Sequence, residues 1–165
     1  MKTSLRLAGL VLAFACGVTP ALAKTPKAVN QKHFDSAAQA ALAAMSARAA
    51  ELKIQGVAVV AFAPGDVVER WMSEMAVVGH LTDTSQGAPG DNLLGIAYAK
   101  EAEAANTLMN SGTSGKPPMT GEYGWKGGVI AKVPGGSIIV AFSGGTQTSD
   151  TSTAEAGLEA LKSRL

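Results

Sequence analysis

Two apolar runs joined by a tight turn decide the fold: Val129-Ile-Ala-Lys-Val133, Pro134-Gly135-Gly136 and Ser137-Ile-Ile-Val-Ala-Phe142. Both runs are rich in β-branched residues, and proline and glycine favour a reverse turn. The pattern predicts an antiparallel hairpin. The second run stops at Ser143-Gly144-Gly145, and a polar linker leads into a helical pattern that ends at Leu165.

The sequence before this hairpin predicts a long helix and another hairpin. Apolar residues recur at helical spacing from Gln31 to Ile54, and Gly56 is expected to end that helix. The continuous apolar run Val57–Ala63 is typical of a central strand that is covered on both faces. Pro64-Gly65-Asp66 turns the chain, and Val67–Val78 is predicted to be the partner strand.

A second helix and a final helix complete the predicted order. Leu93–Leu108 has helical periodicity, with Asp91 or Asn92 as its N-cap, although Glu101 interrupts the apolar stripe. The last helix is predicted to open with a capping box of Ser152 and Glu155. An order of helix, hairpin, helix, hairpin, helix predicts an α+β domain in which helices pack on an antiparallel sheet.

The first 23 residues have the pattern of a signal peptide. Lys2 and Arg6 precede the apolar stretch Leu7–Val18, and Ala21-Leu22-Ala23 fits a cleavage site. We therefore expect a leader at 1–23, a single domain at 24–165, and a periplasmic or secreted protein. Acylation of Cys16 is the alternative, but the bulky side chain two residues before it makes a poor lipobox.

Composition excludes several classes of protein. The chain has 165 residues and one cysteine, which lies in the predicted leader, so the exported chain would have neither disulfides nor thiolate metal sites. The formal net charge is +1, and loss of Lys2 and Arg6 with the leader would make it −1. Nucleic-acid binding is not expected at this charge.

The hairpin, the Ser143-Gly144-Gly145 turn and the helix after it resemble the GlcG/HbpS family, whose domain is often labelled haem-degrading. The alanine-rich opening helix, the strand and turn Val57–Asp66, and Ala97-Tyr98-Ala99-Lys100 extend the resemblance over nearly all of 24–165. Ala63-Pro64-Gly65-Asp66 departs from the usual Asp-x-x-Gly form of the first turn. The resemblance implies a profilin-like or roadblock-like α+β domain with a five-stranded antiparallel sheet, and a fifth strand is then expected between Met119 and Trp125.

The resemblance also implies binding of haem or a related tetrapyrrole by a homo-oligomer. The chain has only two histidines, His80 and His33, as imidazole ligands. His80 is the preferred metal ligand because it ends a strand and opens a polar loop. His33 lies at a helix start. For each, the alternative is an ordinary exposed histidine.

Other residues complete the candidate tetrapyrrole site. Tyr123 and Trp125 would form an aromatic wall, or else pin the long loop onto the domain. The backbone of Ser143, Gly144 and Gly145 would bind a carboxylate such as a propionate, or else form only a tight exit from the strand. Further side chains able to bind iron are those of one tyrosine and four methionines: Tyr98, Met72, Met75, Met109 and Met119.

Motifs for catalysis are weak. Gly112-Thr-Ser-Gly-Lys116 lacks the spacing of a phosphate-binding loop, and Ala141-Phe-Ser-Gly-Gly145 lacks the first glycine of a nucleophile elbow. Glu101 and Glu103 lie on different helix faces, which disfavours a paired acid and base. We therefore expect a binding protein. The alternatives are a small enzyme or accessory protein of 2-hydroxy acid metabolism, such as that of glycolate, and an oligomeric sensor or scaffold partner.

Overall fold

The computed structural model describes residues 29–87, 89–115 and 124–165. Its elements follow the predicted order of helix, hairpin, helix, hairpin, helix. In chain order they are α1 (Gln31–Leu52), β1 (Gly56–Pro64), β2 (Met72–Val78), α2 (Leu93–Thr107), β3 (Gly128–Val133), β4 (Gly136–Ser143) and α3 (Gln147–Lys162). The α+β fold class is confirmed.

The strands form one antiparallel sheet in the order β2-β1-β4-β3. Both hairpins are confirmed, and β1 pairs with β4 so that Val60 lies opposite Val140. These two central strands are almost wholly buried, as the continuous apolar run of β1 predicted. Within the described residues the sheet has four strands, so the expected five-stranded sheet is wrong there. Most of the segment proposed for a fifth strand, 119–123, lies outside the described residues.

Helices cover the sheet unequally. α1 and α3 pack on the face that carries Val60, Phe62 and Phe142, whereas α2 alone packs on the face of Val59 and Ala141. α3 approaches α1 closely at Gly157, where an added Cβ would lie 2.6 Å from the side chain of Met45. Helices therefore cover both faces of the sheet, and loops occupy its ends.

Several predicted boundaries are wrong. β2 begins at Met72 rather than Val67. α1 ends at Leu52, because Lys53 adopts the left-handed conformation and donates its N–H to carbonyls of the last turn. Gly56 is instead the first residue of β1, where a Cβ would collide with the carbonyl of Ser143.

The predicted N-cap is confirmed for α2 and wrong for α3. Asn92, and not Asp91, caps α2, because its side chain accepts the N–H of Gly95 at 3.0 Å. α3 begins earlier than predicted, at Gln147, and its N-cap is Thr146, six residues before Ser152. The expected capping box of residues 152 and 155 therefore lies inside the helix and caps nothing. Within the described residues, no helix combines the length and the hydropathy that crossing a bilayer requires.

Candidate functional site

One end of the sheet collects most of the candidate residues. The chain leaves β2 at His80 and leaves β4 at Ser143-Gly144-Gly145, and both helices α2 and α3 begin beside these exits. Two adjoining clefts of about 290 Å³ each lie here. We call them the histidine cleft, which contains His80, Lys53 and Ile54, and the glycine cleft, which contains Ser143, Gly145 and Trp125. The lining of both includes Asp83, Leu93 and Gly144.

The loop after His80 is fastened to the start of α2. The N–H of Leu93 donates to the carbonyl of Leu81 at 3.0 Å, and that of Asp83 donates to Asp91 at 2.8 Å. Gly79, with φ of 93°, turns the chain out of β2 immediately before the histidine. The exposed imidazole of His80 is therefore carried on backbone that is anchored on both sides.

A buried ion pair forms the floor of the glycine cleft. Lys100 Nζ lies 2.7 Å from Asp150 Oδ2 and donates to the carbonyl of Phe142 at 2.8 Å. Burial lowers the pKa of Lys100 and raises the pKa of Asp150, and the attraction between the two charges opposes both shifts. Helix α2 contributes Lys100, β4 contributes the carbonyl of Phe142, and α3 contributes Asp150. These contacts therefore hold the three elements together.

The glycine turn already binds a carboxylate of this chain. The N–H of Gly145 donates to Asp150 Oδ1 at 2.8 Å, and the N–H of Gly144 also interacts with that carboxylate. The anion site predicted at this turn therefore holds Asp150, which leaves fewer donors for a propionate. Gly144 is required for a steric reason as well, since at its φ of 146° a Cβ would collide with the carbonyl of Gln55.

His33 lies far from His80. It occupies the first turn of α1, and its Nε2 is 2.8 Å from the carbonyl oxygen of Arg164. The histidine cleft lies at the other end of α1, beside Lys53. A helix of 22 residues is about 33 Å long at 1.5 Å per residue, so the two histidines do not ligate the same iron.

The predicted aromatic wall is described only in part. Trp125 is 41% exposed and lines the glycine cleft. Its carbonyl accepts the hydroxyl of Ser111 at 2.7 Å, which fixes the backbone there. Tyr123 lies outside the described residues. The structure therefore brings Trp125 together with the Ser143–Gly145 turn, and His80 lies in the neighbouring cleft.

Two carboxyl groups of α2 have different surroundings. Glu101 is fully buried, and among the described residues neither of its oxygens has a hydrogen-bond partner. Burial raises its pKa well above the usual value. Glu103 accepts the N–H of Gly112 at 2.7 Å. The sequence showed Glu101 only as a break in the apolar stripe, and no local signal reported that it would be buried without a partner.

No metal centre is formed by acidic, histidine or cysteine side chains in the described residues, because none of them form a group of three or more that could hold an ion.

Comparison with known proteins shows the fold. No protein-family model and no curated protein sequence matches the chain. In structure it is similar to Klebsiella pneumoniae protein ORFY, described as family-model DUF336, with a TM-score of 0.54 and 17% identity over 79% of this chain and 90% of that one. It is also similar to the protein in a PduOC:haem complex, with a TM-score of 0.52 and 14% identity over 81% and 95% of the two chains. At such identities the likeness shows a common fold and nothing finer.

Proposed function

We propose that this chain is an exported protein that binds haem or a related planar tetrapyrrole, with His80 as the axial ligand. The observation that carries the proposal is the exposed imidazole in a preformed cleft at the end of the sheet. The known haem complex of a protein with the same fold supports the ligand class. The resemblance to the GlcG/HbpS family implies the same ligand class.

The residues of the histidine cleft fit a partly exposed tetrapyrrole. Ile54 and Leu93 offer aliphatic contacts beside the imidazole, and Lys53 offers an ammonium group for a propionate. Asp83 disfavours a propionate on its side, so the propionates are expected to face Lys53 or water. A cleft of about 290 Å³ is at the lower end of ligand pockets, so much of the macrocycle would remain exposed.

The chain's own residues would bind and orient the ligand. His80 would donate a ring nitrogen lone pair to the iron, and the hydrogen bonds of the loop that follows would hold the imidazole in place. When bound, haem would supply a redox-active iron, which the imidazole of His80 would hold. We propose binding rather than turnover, because the sequence motifs for catalysis are weak.

Titration with hemin tests the ligand and its residue. Purified protein should shift the Soret band and saturate near one haem per chain. His80→Ala should lose the shift, whereas His33→Ala, about 30 Å along α1 from Lys53 of the cleft, should keep it. Circular dichroism should show both variants folded. Retention of the shift in His80→Ala would contradict the proposed ligand, and an absent shift in the unmodified protein would contradict the function.

Export is tested by the mass of the protein recovered from the periplasm or medium. We propose cleavage after Ala23, which would leave Lys24 as the first residue. The intact mass then equals that of 24–165. A lipid-modified chain that begins at Cys16, or an uncleaved chain in the cytoplasm, would contradict this part of the proposal.

A further inference from the structure

A third cleft lies between α2 and the connection that joins β1 to β2. Its volume is about 430 Å³, larger than either cleft at the other end of the sheet and within the usual range of small-ligand sites. One wall is the end of the connection, and the other is the C-terminal half of α2. The walls include Glu69, Arg70 and Trp71 on the connection and Ala102, Ala105 and Asn106 on the helix. We call it the tryptophan cleft.

Hydrogen bonds hold both walls of the tryptophan cleft in place. The hydroxyl oxygens of Ser73 and Tyr98 are 3.2 Å apart, and this bond fastens the start of β2 to α2. At the beginning of the connection, the N–H of Gly65 donates to the carbonyl of Gly135 at 2.9 Å. Trp71 directly precedes the first residue of β2, so the strand fixes its backbone. The cleft is therefore preformed between anchored elements.

The indole of Trp71 supplies a flat apolar surface. The residue is 36% exposed, and it also lines a smaller cleft of about 280 Å³ together with Pro64 and Met72. Across the tryptophan cleft, Ala102 and Ala105 lie three residues apart on one face of α2, and their side chains are short. A planar ring therefore has room to lie against the indole, with the alanine methyl groups on its other side.

The charges in the cleft specify the polar end of a ligand. Among the described residues, no ion pair or hydrogen bond involves the guanidinium group of Arg70. A guanidinium group binds a carboxylate through two parallel N–H donors. Glu69 brings one negative charge to the same cleft, and it disfavours a second carboxylate on the ligand. The cleft therefore matches a ligand with one carboxylate.

We propose that the tryptophan cleft binds a planar aromatic monocarboxylate, with the ring against Trp71 and the carboxylate on Arg70. This site is separate from the histidine cleft, because β2 lies between Trp71 and His80. At about 3.4 Å per residue, the seven residues of that strand extend over about 20 Å. The proposal does not rest on haem binding, and Glu69 disfavours a haem with two propionates here.

Heteronuclear NMR of the tryptophan side chains tests the site directly. The chain has two tryptophans, Trp71 and Trp125, so two indole N–H signals are expected, and Trp125→Phe assigns them. Added 1-naphthoate should shift only the signal of Trp71. Neutral 1-naphthamide has the same ring system without the charge, and it should bind at least about tenfold more weakly.

A pair of charge-matched variants tests the role of the guanidinium group. Arg70→Gln should weaken the binding of 1-naphthoate by at least about tenfold, because it removes the charged donors. Lys162→Gln removes the same charge from an exposed position on α3 and should leave the affinity unchanged. Helix α3 packs on the opposite face of the sheet from α2.

Two further variants test the shape and the charge selectivity of the cleft. Ala102→Leu lengthens an exposed side chain of α2 with a good helix former, so it should abolish the Trp71 shift without changing the circular dichroism. Glu69→Gln should raise the affinity for 2,3-naphthalenedicarboxylate more than the affinity for 1-naphthoate, because it removes the repelling charge.

Competition with hemin separates this proposal from the proposed function. Saturating hemin should leave the affinity for 1-naphthoate unchanged, and a protein that fails to bind hemin should still bind 1-naphthoate. Displacement by hemin would assign the tetrapyrrole to this cleft and overturn the proposal of a separate site. The absence of a Trp71 shift, a shift of Trp125 alone, or full affinity in Arg70→Gln would also overturn it.

Discussion

Glu101 should make the protein less stable as the pH rises. Its carboxyl group is fully buried, and burial raises its pKa well above the ordinary value of 4.5. Between the unfolded-state pKa and the folded-state pKa, the native state holds a proton that the unfolded state has lost. The contribution of Glu101 is therefore most favourable below the unfolded-state pKa, and it declines as the pH rises towards the folded-state pKa.

The magnitude follows from the linkage between proton binding and folding. Each pH unit within that window costs about 1.4 kcal/mol of unfolding free energy. Glu101→Gln removes the titration, so its advantage in stability over the unmodified protein should be small at pH 4.5 and larger at pH 6.5, growing by about 1.4 kcal/mol for each pH unit of the window that is crossed. Glu101→Met also removes the unpaired polar group, which adds about 1 to 3 kcal/mol at both pH values.

Urea denaturation at a series of pH values measures these differences. Glu103→Gln is the matched control on the same helix, because Glu103 already accepts an N–H at 2.7 Å and its replacement should not flatten the profile. Subtracting the variant from the unmodified protein cancels other titrating groups, including Lys100 and Asp150. An unchanged pH slope in Glu101→Gln would refute the assignment of that slope to the buried carboxyl.

Two further predictions concern the buried ion pair and the glycine turn of the glycine cleft. Lys100→Met leaves Asp150 buried without its counter-charge and should lower the free energy of unfolding by about 3 to 5 kcal/mol. Chemical denaturation measures this loss, and adding Asp150→Asn should recover part of it. A loss of less than about 1 kcal/mol would contradict a structural role for the pair. Gly144→Ala should lower the denaturation midpoint strongly, because its Cβ would meet the Gln55 carbonyl, whereas Gly87→Ala has open space and should stay within about 0.5 kcal/mol. Equal midpoints for the two glycine variants would contradict the close approach.

Local sequence patterns predicted much of the fold. The apolar run of β1 predicted a central strand because a strand covered on both faces has no polar side to alternate with. The turn Pro134-Gly135-Gly136 predicted the second hairpin because those residues favour reversal of the chain. Asn92 was one of two predicted caps of α2, and its side chain does accept an N–H of the first turn. All of these signals act over a few residues.

The start of α3 was predicted wrongly because local sequence offers two possible N-caps. Ser152 and Glu155 have the spacing of a capping box, and Thr146 also satisfies the first requirement of a cap. The choice between them depends on Asp150, whose carboxylate accepts the N–H of Gly145 and pairs with Lys100 from another helix. A local pattern contains no information about a partner 50 residues away.

The sequence alone determined the element types, the two hairpins and the strand-end position of His80, because side-chain periodicity and turn chemistry are local properties. Only the tertiary structure decided that His33 lies at the far end of α1, that the glycine turn holds Asp150, and that Glu101 is buried without a partner. These three outcomes depend on which distant segments meet. The packing of whole helices on the sheet decides which of these segments come into contact. Each contact changes the local dielectric and the available hydrogen-bond partners, and these decide what a polar side chain can bind.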